Sequence, residues 1–416
     1  MILVYRLLIN LVFVFSPLII LIRLIKKKED IKRFKEKFTF FSQKKEGGKL
    51  IWFHGASVGE LMSVIPLIEK LEKKKNIRQI LVTTSTISSA KIFTKFKFKK
   101  TIHQFFPIDT NFLSKKFLSY WQPDLAIFIE SEIWPNMLTN LKKKSIPHIL
   151  LNSRITKKSY KKWKLLGSFS KNLFQNFDFT YPQNEETKNY LIKLKVKKIK
   201  KLGNLKFSES AHDFKKLTDQ KLKKFLKDKK YWCATSTHEG EELICANVHI
   251  KLKKKFSNLL TIIIPRHIQR SQHLFNKISK LGLKAHLHSS KEKIPRNTQI
   301  YIVDTYGETK NFFKVCKIIF LGKSLIAGGG QNPLEPARYN CSIIHGPNVS
   351  NFKEIYNLLD KNKISFKVNN QNKLLNKVDE LLKKNINSKN MSNKINNMGK
   401  KILQRTLAEL KLFINT

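Results

Sequence analysis

The chain of 416 residues carries 81 Lys and Arg against 30 Asp and Glu, a formal net charge of +51 (81 − 30). Its 41% hydrophobic residues are enough to build real cores and exclude a wholly disordered chain, while only 15 Gly and 12 Pro exclude collagen-like and Gly-rich low-complexity architectures. A single strong apolar run, at the N-terminus, excludes a multi-span transporter, and the length suits two domains or three.

The charge would suit a polyanion. Lys, Asn, Ile and Phe are all abundant, however, a mixture that AT-rich codon usage yields whatever the function. Arg, the residue suited to bidentate contacts with bases, supplies only ten of the 81 basic positions. Most lysines therefore read as solvated faces, with anion attraction as the lesser share. Cys233, Cys245, Cys316 and Cys341 form no CxxC, and no Cys/His cluster has zinc spacing. They read as buried free thiols in a reducing compartment.

Taken in chain order, Met1–Ile25 comes first. From Leu7 to Ile22 it is apolar except for Asn10, Ser16 and Pro17, and Lys26, Lys27 and Lys28 follow. Sixteen helical residues cover about 24 Å against a hydrocarbon core of about 30 Å. No small-x-small cleavage site follows, so the segment reads as an uncleaved anchor, spanning or half-inserted, with the lysines and all that follows on the cytoplasmic side.

Beyond the anchor, short apolar runs alternate with helix-length amphipathic segments. The first set is Leu50–His54, Gln79–Thr84, Ile102–Phe106, Asp124–Glu130, His148–Asn152 and Phe177–Tyr181. The second is Tyr231–Ala234, Asn258–Pro265, Lys284–Leu287, Gln299–Asp304, Lys317–Gly322 and Ser342–His345. Continuous apolar runs joined by helical crossovers predict parallel strands buried on both faces. The pattern occurs twice, around a Lys-rich linker plus one helix at Lys206–Lys230, and so predicts two doubly wound α/β domains.

Ligands of such sheets bind where strands end, and the segments there carry chemistry. After the first run, Gly55-Ala56-Ser57-Val58-Gly59-Glu60 gives a small-residue turn into a helix, with Glu60 either a capping residue or a site carboxylate. Thr84-Ser85-Thr86 reads as an N-cap. Glu130-Ser131-Glu132-Ile133-Trp134-Pro135-Asn136 places two carboxylates together at a strand end, which costs repulsion and favours a site role. Asn152-Ser153-Arg154 reads as a polar pocket floor or a surface loop. In the second half, Thr237 precedes acidic residues as a cap would. Pro265-Arg266-His267 offers an Arg to a phosphate or carboxylate. Gly322–Ala337 holds Gly328, Gly329 and Gly330, then Asn332, Pro333 and Glu335: an anion cradle followed by a carboxylate, one turn into a helix, that can accept two ribose hydroxyls. It is neither GxGxxG nor a P-loop.

Together these stretches resemble one family, the 3-deoxy-D-manno-octulosonic acid (Kdo) transferases of lipid A assembly. The matching motifs run in family order: His54–Glu60 (HGASVGE), Phe106–Asp109 (FPID), Glu130–Asn136 (ESEIWPN), Asn152–Arg154 (NSR), Gly203–Lys206 (GNLK), Pro265–His267 (PRH), Asp304–Glu308 (DTYGE), Gly329–Ala337 (GGQNPLEPA), Gly346-Pro347 (GP) and Asn351-Phe352 (NF). Gln331 stands where the family commonly has His, and can hydrogen-bond but carries no charge. Tyr306 stands where a Met or similar residue is expected.

The resemblance implies an α/β GT-B glycosyltransferase: an anchor at 1–25, a Rossmann-like acceptor-binding domain at 26–207, and a Rossmann-like CMP-Kdo-binding domain at 208–416, with an interdomain cleft. It implies Glu60 as general base, with Ser57, Gly59, Glu130, Glu132, Asn152 and Arg154 around the acceptor. Arg266, His267, Gly328, Gly329, Gly330, Asn332 and Glu335 would hold CMP-Kdo. Neither metal nor cofactor is expected. The expected partners are CMP-Kdo, the lipid A precursor lipid IVA and the lipids of a Gram-negative inner membrane, with no nucleic acid. Lipid A phosphates and the anionic leaflet would give the lysines a use. Two rivals remain at this point, a GT-B enzyme using another nucleotide sugar and a non-enzymatic basic membrane- or nucleic-acid-binding protein.

Overall fold

The computed structural model describes residues 1–209, 220–290, 292–326, 328–384 and 389–414. The chain forms two compact units, Met1–Ser210 with Met398–Thr416, and Ala211–Asn397. The expected linker at 206–230 lies partly outside the described residues. The closing segment Met398–Thr416, which the sequence assigns to the second domain, counts instead with the first.

The first unit holds six strands: β1 (Leu50–His54), β2 (Gln79–Thr84), β3 (Thr101–Phe105), β4 (Leu125–Ile129), β5 (His148–Ser153) and β6 (Phe179–Pro182). All pair in parallel, in the order β3-β2-β1-β4-β5-β6. Every residue of β1, β2, β4 and β5 is buried, which is why these runs read as continuous apolar stretches. Trp52, Phe117, Trp121 and Phe128 fill one side of the sheet. The strand order reverses between β1 and β4. That switch point opens a crevice at their carboxyl ends, where His54–Glu60 and Glu130–Trp134 follow.

The second unit holds β7 (Lys230–Thr237), β8 (Leu259–Pro265), β9 (Ala285–Leu287), β10 (Ile300–Ile302), β11 (Ile318–Leu321), β12 (Ser342–His345) and β13 (Ser365–Lys367). They too are all parallel, in the order β13-β12-β11-β7-β8-β10-β9. The reversal falls at β7, flanked by β11 and β8. The glycine-rich segment follows β11 and Arg266 follows β8, on either side of β7. Strand β13 is an edge strand that the sequence patterning did not predict.

An apolar helix, Ile2–Ile25, precedes the first sheet, and its interior Pro17 lies on the exposed side. The four cysteines are free and buried, as expected.

Candidate active site

In the first unit the helix Val58–Leu71 starts directly after β1, with Ser57 as N-cap. The Ser57 N–H donates to Glu60 Oε2 at 3.0 Å, and the Glu60 N–H donates to Ser57 Oγ at 3.4 Å. The capping reading of Glu60 is therefore correct as far as it goes. It is incomplete, because the carboxyl is also perturbed. Burial, with Glu132 and then Glu130 close by, pushes it up to about 7 against the lowering effect of the Ser57 and Ala56 backbone. A capping carboxylate in open solvent would have no such shift. Gly55 makes the close packing possible: a Cβ there would sit 3.1 Å from Glu60 Cβ.

Glu132 belongs to a network spanning both switch-point strands. Its Oε2 lies 3.0 Å from His54 Nε2 and accepts the Trp134 indole N–H at 2.8 Å. His54 Nδ1 faces Thr83 Oγ1 at 3.0 Å, and Trp52 Nε1 donates to the same hydroxyl at 2.9 Å. Burial raises the Glu132 carboxyl, but the His54 hydrogen bond and charge, with the Trp134 bond, outweigh it and hold the group below its usual range. Two neighbouring carboxyls are thus pushed apart, the arrangement that separates a proton acceptor from a fixed charge. Glu132→Gln should then lower the Glu60 pKa by removing the like charge. In a pH–rate profile the acid limb moves to lower pH, and an unmoved limb contradicts the coupling.

Glu130, just after β4, and Asn152, next to last in β5, have left-handed backbone, φ 54° at each, an uncommon conformation for such residues that is often held at functional sites. Both are clamped by the Gly203–Lys206 motif: Lys206 Nζ lies 2.5 Å from Glu130 Oε1, and the Leu205 N–H donates to Asn152 Oδ1 at 3.0 Å. The Arg154 N–H donates to the Glu130 carbonyl at 3.1 Å, and Ser131 Oγ donates to the Arg154 carbonyl at 2.8 Å. Asp109 has a similar bracing role. Its carboxylate accepts the Asn136 N–H at 3.0 Å and the Met137 N–H at 2.8 Å, fixing the helix Pro135–Lys143 after Trp134. Ser57, Gly59, Glu60, Glu130, Glu132, Asn152 and Arg154 thus lie together at the ends of β1, β4 and β5. Glu130 and Asn152, expected at an acceptor, have side chains engaged with the Gly203–Lys206 segment.

In the second unit the central device is one the sequence reading treated only as part of a cap. Glu241, fully buried in the helix Glu241–Lys253, accepts four backbone N–H groups. Its Oε2 takes those of His238 and Lys323 at 2.9 and 2.7 Å, and its Oε1 takes those of Ser324 and Leu325, both at 3.1 Å. One carboxylate thereby ties the turn after β7 to the turn after β11. Close approach makes Gly322 obligatory, since a Cβ there would meet Thr237 Cα at 2.5 Å and Glu241 Oε2 at 2.8 Å. Gly322→Ala should therefore destabilise this unit, which thermal melts of the variant beside wild type would read out. A wild-type melt contradicts the packing argument.

The glycine loop differs from the expected open cradle. Gly329 and Gly330 have φ 90° and 79°, backbone that L side chains rarely adopt. The Gly330 N–H already donates to the Lys323 carbonyl at 2.8 Å, and the Asn351 N–H donates to the Gly329 carbonyl at 2.9 Å. The following helix runs Leu334–Arg338 with Pro333 as its N-cap. Glu335 is therefore in the first turn, not one turn in, with Lys310 Nζ 3.6 Å from its carboxylate. Asn332 Oδ1 accepts the Leu334 N–H at 3.1 Å, so it is a local cap. Arg266 and His267 are exposed beyond β8, and the Arg266 N–H donates to the Thr237 carbonyl at 3.0 Å. His238, which sequence reasoning passed over, faces the His267 ring edge-on at 5.6 Å. Burial lowers its pKa, Glu241 opposes, and Lys323, His267 and Arg266 add to the lowering. The end of β7 is thus a cationic corner suited to an anion.

Comparison with known proteins follows the motifs. The family profile described as 3-Deoxy-D-manno-octulosonic-acid transferase (kdotransferase) matches residues 32–209. A 3-deoxy-D-manno-octulosonic acid transferase of Rickettsia bellii is 35% identical over 375 residues, covering 90% of this chain and 89% of that protein. The corresponding transferase of Haemophilus influenzae is 28% identical, covering 88% of this chain and 86% of its own length. Among solved structures, UDP-GlcNAc 2-epimerase from Neisseria meningitidis shares the fold with a TM-score of 0.60 at 14% identity, over 86% of this chain and all of that one.

Proposed function

The chain belongs to the 3-deoxy-D-manno-octulosonic acid transferase family and has the GT-B fold, and we propose that it moves Kdo from CMP-Kdo to the lipid A precursor lipid IVA with inversion. The carrying observation is the placement of Glu60 at the carboxyl end of β1, buried near Glu132 and Glu130, which pushes its carboxyl up to about 7. A sugar hydroxyl is a weak nucleophile until a base takes its proton in the transition state, and a base poised near neutrality does this best. Glu60 removes that proton as the acceptor oxygen forms its bond to the Kdo anomeric carbon. The bond from that carbon to the CMP phosphate breaks on the opposite face, through an oxocarbenium-like state. CMP leaves with the electron pair, and its growing negative charge is met by Arg266 and the corner at the end of β7. Ser57, Gly59, Glu130, Glu132, Asn152 and Arg154 frame the acceptor side, Glu130 and Asn152 through the backbone they fix. His267, Gly328, Gly329, Gly330, Asn332 and Glu335 frame the donor side.

Two substitutions test the donor assignments. Glu335→Ala should weaken CMP and CMP-Kdo binding alike, by about 1.5–3 kcal/mol for hydrogen bonds to a charged group. Arg266→Ala should lower turnover more than affinity if its partner is the departing phosphate. If its partner is the Kdo carboxylate, CMP affinity stays unchanged and only CMP-Kdo affinity falls. Calorimetric titration of each variant with CMP, CMP-Kdo and UMP, with kcat alongside, separates these cases. Wild-type titrations for Glu335→Ala would remove Glu335 from the nucleotide site.

A further inference from the structure

The helix Ile2–Ile25 is apolar almost throughout and mostly exposed. Its length and composition are those of a helix that can meet a membrane, and its packing bears on how it would do so. One seam at helical spacing lies against the first unit: Tyr5, Ile9, Phe13, Ser16, Ile20 and Arg23 are buried or half-buried, Arg6 and Leu24 extend it at the two ends, and the residues between are exposed. At the N-terminal end, Tyr5 Oη donates to Asp109 Oδ2 at 2.8 Å and Arg6 Nε to Asn136 Oδ1 at 2.9 Å. Midway, the Phe13 ring packs 6.0 Å from Phe38. At the C-terminal end, Arg23 Nε lies 2.9 Å from the buried Glu29, whose other oxygen takes Lys37 Nζ at 2.8 Å.

The helix is 24 residues long, about 36 Å. A spanning helix carries its two ends to opposite faces of an apolar core of about 30 Å, where Asp109 and Asn136 of a folded domain cannot follow. Here both ends are held on one unit. We propose that this helix lies in the plane of a single anionic leaflet and does not span. Its outward stripe, Leu7, Leu11, Val14, Leu18 and Leu21, is exposed along its whole length, and exposed Lys26, Lys27 and Lys28 follow at its end. Val4, Leu8, Val12, Phe15, Ile19 and Ile22 are exposed beside it, so the packed seam stands where a free interfacial helix has its polar face, and the remaining apolar surface with cations at one end suits acyl chains and acidic headgroups. The assignment stands whatever the sugar donor. Because Asp109 also holds the helix start after Trp134, the N-terminal end of the buried seam braces the loop that carries Glu132.

Two measurements on the full chain test this. With an epitope tag placed before Met1, protease added to intact spheroplasts should spare the tag and remove it only after lysis. Cleavage in intact spheroplasts would overturn the proposal. For depth, Leu7→Cys, Val14→Cys and Leu21→Cys lie on one stripe, and the four native cysteines are buried. Each variant is labelled with an environment-sensitive fluorophore in phosphatidylethanolamine–phosphatidylglycerol vesicles carrying shallow or deep spin-labelled lipids. Equal, shallow quenching at all three positions is expected. Deep quenching at 14 with shallow quenching at 7 and 21 means a spanning helix, and absence of quenching with a dimer in solution means a second copy covers the stripe. Either result sinks the proposal.

Discussion

Glu60→Gln is expected to lower turnover by about 10²–10⁴, the usual worth of a positioned general base, while CMP-Kdo binding stays near wild type. The amide keeps an oxygen that can accept the Ser57 N–H, so the cap survives and the loss is chemical. Stability should move the other way. The carboxyl rises from its ordinary 4.5 to about 7, so its ionisation opposes folding increasingly from pH 4.5 upward, with the full cost present above about 7. The Gln variant should therefore melt no lower than wild type at pH 8, and any advantage should vanish below about pH 4.5. Turnover within a few-fold of wild type would leave Glu60 as a cap alone.

Glu241→Ala should have the largest effect on stability. It leaves four backbone N–H groups, those of His238, Lys323, Ser324 and Leu325, without their acceptor in two largely enclosed turns. Hydrogen bonds to a charged group contribute about 1.5–3 kcal/mol each, and partial rearrangement recovers some of the loss, so a cost of about 3–5 kcal/mol is expected. Glu241→Gln should cost less, because one oxygen remains. Urea unfolding of both variants, followed with a nucleotide titration, checks the order. If Ala and Gln behave alike and near wild type, the carboxylate does not hold the turn after β11.

Most of the fold was legible because strands buried on both faces leave an unbroken apolar signature, as Leu50–His54 and Leu259–Pro265 do. Strand β13 was not, because Ser365-Phe366-Lys367 is three residues with one apolar side chain. The placement of the last helix was also hidden. Ile402, Leu410 and Ile414 are buried, but an amphipathic pattern does not say against which unit. In the structure a Cβ on Gly399 would come within 2.1 Å of the Phe207 carbonyl. At the site, the place of Glu60 at a strand-turn-helix junction was legible, and the pattern left a cap and a site carboxylate both open. Its pairing with Glu132, and that of Glu132 with His54, required knowing that β1 and β4 are neighbours, which follows from the strand order and from no local pattern. Glu241 looked like an ordinary first-turn acid, because three of the four amides it collects come from a turn more than eighty residues away.

Incubation of the purified 416-residue protein with CMP-Kdo and lipid IVA, followed by mass spectrometry of the product and NMR of its anomeric configuration, tests Kdo transfer by Glu60. The expected product is lipid IVA carrying one or more Kdo residues with the anomeric configuration inverted relative to the donor, formed by wild type and not by Glu60→Gln. An unmodified acceptor, a retained configuration, or equal product from the two proteins would contradict it.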